Sequence, residues 1–258
     1  MEITDWAKII LGGLSLEEKL FCPKVLTDDE KKLPFFWETP SRPEHLKFRV
    51  LSKEKKLPPF HEHGDAYKRA LCLHRFAGHE LLAVELMAYA LLAFPELPKH
   101  FRKGLAHTLK EEQEHVRLYI RHLQTMGMSF GDEPLSGRFW KLTPYLKTPS
   151  QYLSAVHLTL EMANLDFAPH YGLSFERHGD KSSANIMKQI FDDELSHVSF
   201  GYHWLCRLKQ DHLQSWEAYL AALPPILPVS RAKGFIFNKD SRKKIKLPSQ
   251  WIELIEKS

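Results

Sequence analysis

Two short phrases, "EEQEHV" at 111–116 and "DDELSHV" at 192–198, each set a Glu three residues before a His, behind another acid and ahead of a Val. Both lie in the middle of runs of nearly thirty residues without proline, 99–126 and 181–210. Runs of that length, with apolar residues recurring at three and four, predict helices. Residues i and i+3 share one side of a helix, so in each phrase a carboxylate and an imidazole can reach the same point. The chain must therefore fold so that two long helices each carry this acid and base at mid-length.

Two further runs have helical period. The first, 67–94, ends at "PELP"; the second, 150–177, contains Pro169, which is expected to kink it. In chain order the four are helices A, B, C and D, each about 40 Å long at about 1.5 Å per residue. A and B are joined by a short turn, as are C and D, whereas 127–149 is a Pro- and Gly-broken crossover long enough to pass from one end of a bundle to the other. The expected fold is all-α, a ferritin-like four-helix bundle with a long B–C crossover. The expected organisation is a short helix and Pro-rich wrapping segment over 1–64, the bundle over 65–212, and a C-terminal helix and basic extension packed on it over 213–258.

The apolar faces place the acids. On helix B, Glu112 and His115 sit on or beside a stripe through Leu105, Leu109, Val116 and Leu123; on helix D, Glu194 and His197 sit among Ile190, Phe191, Val198 and Leu205. Helix A carries Glu80 on the stripe Leu73, Ala77, Val84, Met87, and helix C carries Glu161 beside Leu158 and Leu165. Glu80 precedes Glu112 by 32 residues and Glu161 precedes Glu194 by 33, so each hairpin presents one Glu plus one Glu-x-x-His. One Glu-x-x-His alone is a weak signal; the shared register of two gives it force. A carboxylate buried in such a seam without compensation costs several kcal/mol, which a divalent metal can offset. Four carboxylates and two imidazoles are the ligand set of a carboxylate-bridged di-iron or iron/manganese centre, more oxygen-rich than zinc usually takes. His74, His107, His122, His157 and His203 read as surface or core histidines rather than ligands. Glu85 and Asp166, acids in apolar stretches, read as supporting groups or as partners of an Arg such as Arg75, outside the ligand set.

Composition narrows the function classes. At 258 residues and 43% hydrophobic, the chain can bury a sizeable core. Its opening residues lack the basic and long apolar regions of a signal peptide, no window reads as a membrane span, and its three cysteines have no paired spacing. A cytoplasmic location without membrane attachment is expected. The net charge of +4 is too small by itself to indicate nucleic acid, and the basic segment "NKDSRKKIKLP" reads as a solvated tail or arm, with an anionic partner as the competing reading.

The segments "RALCLHRFAGHELLAVEL", "EEQEHV", "LEMANLD", "DDELSHVSFG" and "GFIFNKDSRKK" resemble the ferritin-like family called domain of unknown function 455, related to ferritins, rubrerythrins and bacterial multicomponent monooxygenases. The resemblance runs from about Leu16 to Lys246 and implies the same six ligands, Glu80, Glu112, His115, Glu161, Glu194 and His197. The chain departs from the family at His79, where an Ile commonly precedes the Glu; the imidazole reads as a cap on a neighbouring contact, with an extra imidazole near the site as the competing reading. A metal-bound His needs an acceptor on its other ring nitrogen. By resemblance to oxygen-activating di-iron proteins, Asp193 is expected to orient His115, and Glu111 to orient His197. Tyr119 lies one turn after His115, the spacing at which the small subunit of ribonucleotide reductase carries its radical tyrosine; ordinary core packing is the competing reading.

The expected function is an oxidoreductase with two iron ions, Fe/Fe or Fe/Mn, and O2 or peroxide as co-substrate, oxidising or hydroxylating a small-molecule or tRNA-borne substrate with an electron-donor protein. Iron storage or ferroxidase activity, tRNA hydroxylation and a metal-free scaffold are the competing readings. The Pro-rich ends are expected to obstruct a storage shell and leave a monomer or dimer.

Overall fold

The computed structural model describes residues 1–30, 33–49 and 56–258; parts of the expected wrapping segment, 31–32 and 50–55, lie outside the described residues. Among the described residues the regular structure is helical, and β pairing is confined to isolated bridges at Glu2–Thr27 and Phe48–Leu135. The fold is all-α. Two compact units divide the chain, Met1–Lys141 and Leu142–Ser258.

The first unit opens with α1 (Ile3–Gly12) and α2 (Leu16–Lys19) and is dominated by a hairpin of α3 (Ala66–Ala93) and α4 (Lys99–Thr125). The Asp65 carboxylate accepts from the Tyr67 N–H and caps the start of α3. At the other end, Arg102 of α4 donates through Nη1 to the carbonyls of Leu91 and Phe94 at 2.8 and 3.2 Å, placing a cation on the negative end of α3. By length and composition α3 can cross a membrane, contrary to the expectation that no window has that character; 83% of its most apolar window is buried inside the protein, where a core helix belongs.

The N-terminal elements are fastened to α3 by charge. Glu85 is fully buried and meets the Lys19 ammonium at 3.0 Å and the Arg42 guanidinium through Nε and Nη2 at 3.0 and 2.7 Å. Burial pushes the Lys19 ammonium below its ordinary pKa, while Glu85 pulls it back up. Arg42 also lies over the Phe48 ring, 4.2 Å from its centroid. The acid therefore pairs with Arg42 and Lys19 rather than with an arginine on its own helix.

In the second unit, α5 (Pro149–Ala155) runs through a π-helical segment, Val156–Glu161, into α6 (Met162–Arg177). The N-terminus carries a capping box of Thr148 and Gln151 with Pro149 in the first turn. The helix continues through Pro169, and the departure from α geometry falls earlier, at the π segment. Gly179 supplies the left-handed residue after α6, φ +80°. Asp180 then caps α7 (Lys181–Leu208), accepting from the Ser183 N–H. Beyond it come α8 (Ser215–Ala222), α9 (Lys239–Lys244) and α10 (Ser249–Lys257).

The basic C-terminal segment is not simply a solvated tail. Arg242 is 0% exposed and grips Asp166 through both terminal nitrogens at 2.7 and 3.0 Å, while the N–H groups of Gly234 and Asn238 donate to the same carboxylate at 2.8 and 2.7 Å. Its guanidinium lies 4.1 Å from the Phe237 ring centroid. Lys243, Lys244 and Lys246 do face solvent, as a tail would. Trp251, Ile252 and Ile255 of α10 enter the core, and Trp251 Nε1 donates to Ser215 Oγ at 3.0 Å.

Both buried ion pairs are expected to be costly to halve. Glu85→Ala strands two cations and Arg242→Ala strands one carboxylate, each destabilising by about 3–5 kcal/mol as read from urea midpoints. A loss below about 0.5 kcal/mol, the range of surface substitutions, would refute the assignment. A second expectation concerns acid. His74 is buried, and its Nε2 accepts from the N–H groups of Gly131 at 2.9 Å and Glu133 at 3.4 Å, which requires the neutral ring. Burial lowers its pKa from the ordinary 6.5 against the upward pull of Glu133 and Asp132. With the folded value below the unfolded one, the stabilisation is complete above about pH 6.5 and is lost as pH falls through the folded value. His74→Gln, which accepts but cannot charge, should flatten that decline in urea midpoints taken from about pH 7.5 to about pH 5.

Candidate metal centre

In the first unit the packing of α3 on α4 brings Glu80, Glu112 and His115 together, with one ligand atom from each lying within 4.8 Å of the others. Glu80 is 6% exposed and the other two are fully buried. The i, i+3 spacing on α4 sets His115 Nδ1 3.2 Å from a Glu112 carboxylate oxygen. Tyr119, one turn on, is buried with its ring 6.1 Å from that of Phe76. The His79 ring lies against Phe139 at 5.0 Å between ring centroids.

The second unit repeats the set. Glu161 closes the π segment, and Glu194 and His197 stand on α7; all three are buried. Glu161 and His197 offer ligand atoms within 4.8 Å of one another, and Glu194 lies 3.5 Å from His197 Nδ1. Each expected ligand is thus buried or nearly so and has another expected ligand beside it within its own unit. Glu111 is partly exposed, with its carboxylate 3.4 Å from His107, and Asp193 is half-buried.

Two neighbours of this second set escaped the sequence reading. Asn164 donates its amide to Glu194 at 2.7 Å. His157, read as a core or surface histidine, is in the core, and its Nδ1 meets the Glu161 carboxylate. Their spacings from Glu161, three and four residues, were visible in "HLTLEMAN"; the π segment that bears His157 carries no sequence signal.

The donor set fits a hard or borderline divalent metal. Carboxylates and imidazoles with no thiolate suit iron or manganese. Glu161 Oε1 is buried without a hydrogen-bond partner among the described residues, the condition of an acceptor shaped for something other than a protein donor. Glu85 and Asp166 lie five residues after Glu80 and Glu161, about 140° round the helix at about 100° per residue. They face elsewhere and are neutralised by Arg42 and Arg242, which separates them from the ligand sets.

A family model described as "Protein of unknown function (DUF455)" matches residues 15–253. A protein of Haemophilus influenzae described as uncharacterised is 28% identical over 143 residues, covering 52% of this chain and 50% of the relative, so the chain spans about half of that relative's length. No solved structure matches.

Clustered buried carboxylates weaken a protein stripped of metal, and an ion that binds only the folded chain restores stability with the logarithm of its concentration above Kd. Glu112→Leu is therefore expected to melt higher than the wild type in chelator and to lose the rise in Tm on adding Fe(II) or Mn(II) under anaerobic conditions. Unchanged metal dependence of the Tm in this variant would remove Glu112 from the site.

Proposed function

The chain belongs to the DUF455 family, whose description names no activity, and from its buried side chains we propose a di-iron, or iron/manganese, oxidoreductase built on a ferritin-like four-helix bundle. The observation that carries this reading is the buried carboxylate–carboxylate–imidazole group of Glu80, Glu112 and His115, together with the buried pair of Glu161 and His197 and the Glu194 carboxylate beside His197. In the proposed arrangement the two groups serve one binuclear centre. Loaded with iron, it supplies electrons to O2 or peroxide for oxidation or hydroxylation of a small-molecule or tRNA-borne substrate, with an electron-donor protein restoring them.

The remaining work falls to the chain's own residues. Four carboxylates balance the charge of two divalent ions, and their two-oxygen heads allow bridging or terminal attachment. Val84, Leu109, Val116, Leu158 and Val198 are buried near these positions in the sequence and exclude water, so charges inside interact strongly. Asn164 holds Glu194 by its amide. Asp193 and Glu111 are proposed to accept from the far ring nitrogens of His115 and His197. Tyr119, buried one turn after His115, is the proposed redox-active side chain.

Protein isolated without chelator is expected to carry two ions per chain, and anaerobic Fe(II) titration to break at two equivalents. Magnetic coupling of the two irons on oxidation distinguishes one binuclear centre from two isolated sites. Air should then be consumed in proportion to bound Fe(II). Glu112→Ala and Glu194→Ala should each lose the coupled signal. A single uncoupled ion, or full metal retained in Glu112→Ala, would overturn the centre, and a loaded protein inert to both O2 and peroxide would overturn the oxidoreductase assignment.

A further inference from the structure

His157 has three features that ordinary core packing leaves unexplained. Its Nδ1 meets Glu161 Oε2. Its Nε2 is buried without a hydrogen-bond partner among the described residues. And the backbone of α7 comes so close that a Cβ at Gly201 would lie 2.3 Å from His157 Cβ and 3.2 Å from Cγ. No side chain other than hydrogen fits at 201 without moving the imidazole. The ring is otherwise held edge-on by Tyr152 and Phe200, at centroid distances of 5.4 and 5.3 Å.

We infer that His157 is a positioning residue for Glu161, seated against α7 by the bare backbone of Gly201. This inference rests on the metal-centre reading of Glu161. An ionised carboxylate only accepts, so the contact requires a hydrogen on Nδ1. With Oε2 occupied by that hydrogen, Oε1 is left as the oxygen free to bind a metal, and it is the one with no partner among the described residues. The π segment Val156–Glu161 carries both residues, fixing donor and acceptor in one widened turn. Gly201 follows His197 by four residues on α7, so the helix that supplies a proposed ligand also seats the residue that aims another. The imidazole does not touch the metal in this arrangement; it fixes which oxygen of Glu161 does.

Three variants and one readout test this: Fe(II) affinity by anaerobic titration against a chromophoric chelator, with helical circular dichroism as the folding control. His157→Phe keeps an aromatic ring and removes the donor. It should bind one of the two ions about 10–100-fold more weakly, the range found when a partner of a metal ligand is removed. His157→Asn offers an amide hydrogen close to the position of Nδ1–H and should stay within a few-fold of wild type. Gly201→Ala changes no polar group and should weaken the same ion by displacing the ring. Wild-type affinity in a folded His157→Phe variant would overturn the inference. So would an Asn variant as weak as Phe, since packing rather than the donated hydrogen would then matter; and should the Phe variant not fold, weak binding by a folded Asn variant overturns it equally. A wild-type protein that binds neither ion overturns the metal-centre reading and this inference with it, an outcome distinct from the first two.

Discussion

A carboxylate moved out of water must meet a hydrogen-bond donor, a cation or a metal, or it will take up a proton. Most of this chain's organisation follows from how that demand is met at its buried acids. Glu85 and Asp166 meet arginines, and Asp166 adds two backbone N–H groups. Glu112, Glu161 and Glu194 instead have imidazoles beside them. The first class is satisfied within the chain and does structural work. The second stands beside imidazoles and is not neutralised by arginine, and a metal is the proposed partner for it.

The two classes alternate in the same way in both units. A proposed ligand Glu is followed five residues later by an acid turned to another side of the helix, and that acid holds an arginine from a terminal extension. In the first unit the arginine is Arg42, laid over Phe48; in the second it is Arg242, laid over Phe237. Each extension is therefore anchored to the helix that carries a proposed ligand. The anchoring has a plain energetic basis, because losing either partner leaves a buried charge with only part of its compensation. The segments that bring in Arg42 and Arg242 thereby neutralise acids that the long helices bury.

The candidate site was legible to different degrees. Glu112, His115, Glu194 and His197 could be singled out because i, i+3 spacing puts each pair on one side of a helix and the two pairs recur mid-helix on Pro-free apolar stripes. Glu80 and Glu161 followed from their register with those pairs. Asn164 and His157 were within a turn of Glu161, yet a polar residue one turn away is common on any helix. Whether it turns inward depends on packing against α7, and for His157 on a close approach at Gly201. The partners of Glu85 and Asp166 were out of reach, because the cations lie 43 and 76 residues away in sequence. For the same reason "SRKK" read as solvated: three of its neighbouring lysines do face water, and nothing local singles out Arg242 as the residue that does not.

The amino-acid sequence by itself determined that the chain is all-helical, where its four long helices run, and that six acids and imidazoles recur at one register on their apolar faces. Those are consequences of local period, proline placement and side-chain spacing, which act within a few turns. Only the tertiary structure decided which acids are neutralised by arginine, that the third long helix widens into a π turn at Val156–Glu161 and runs on through Pro169, and that His157 meets Glu161. These depend on burial and on contacts between distant segments, where the cost of an unsolvated charge or of a clash is set by whatever the fold brings alongside.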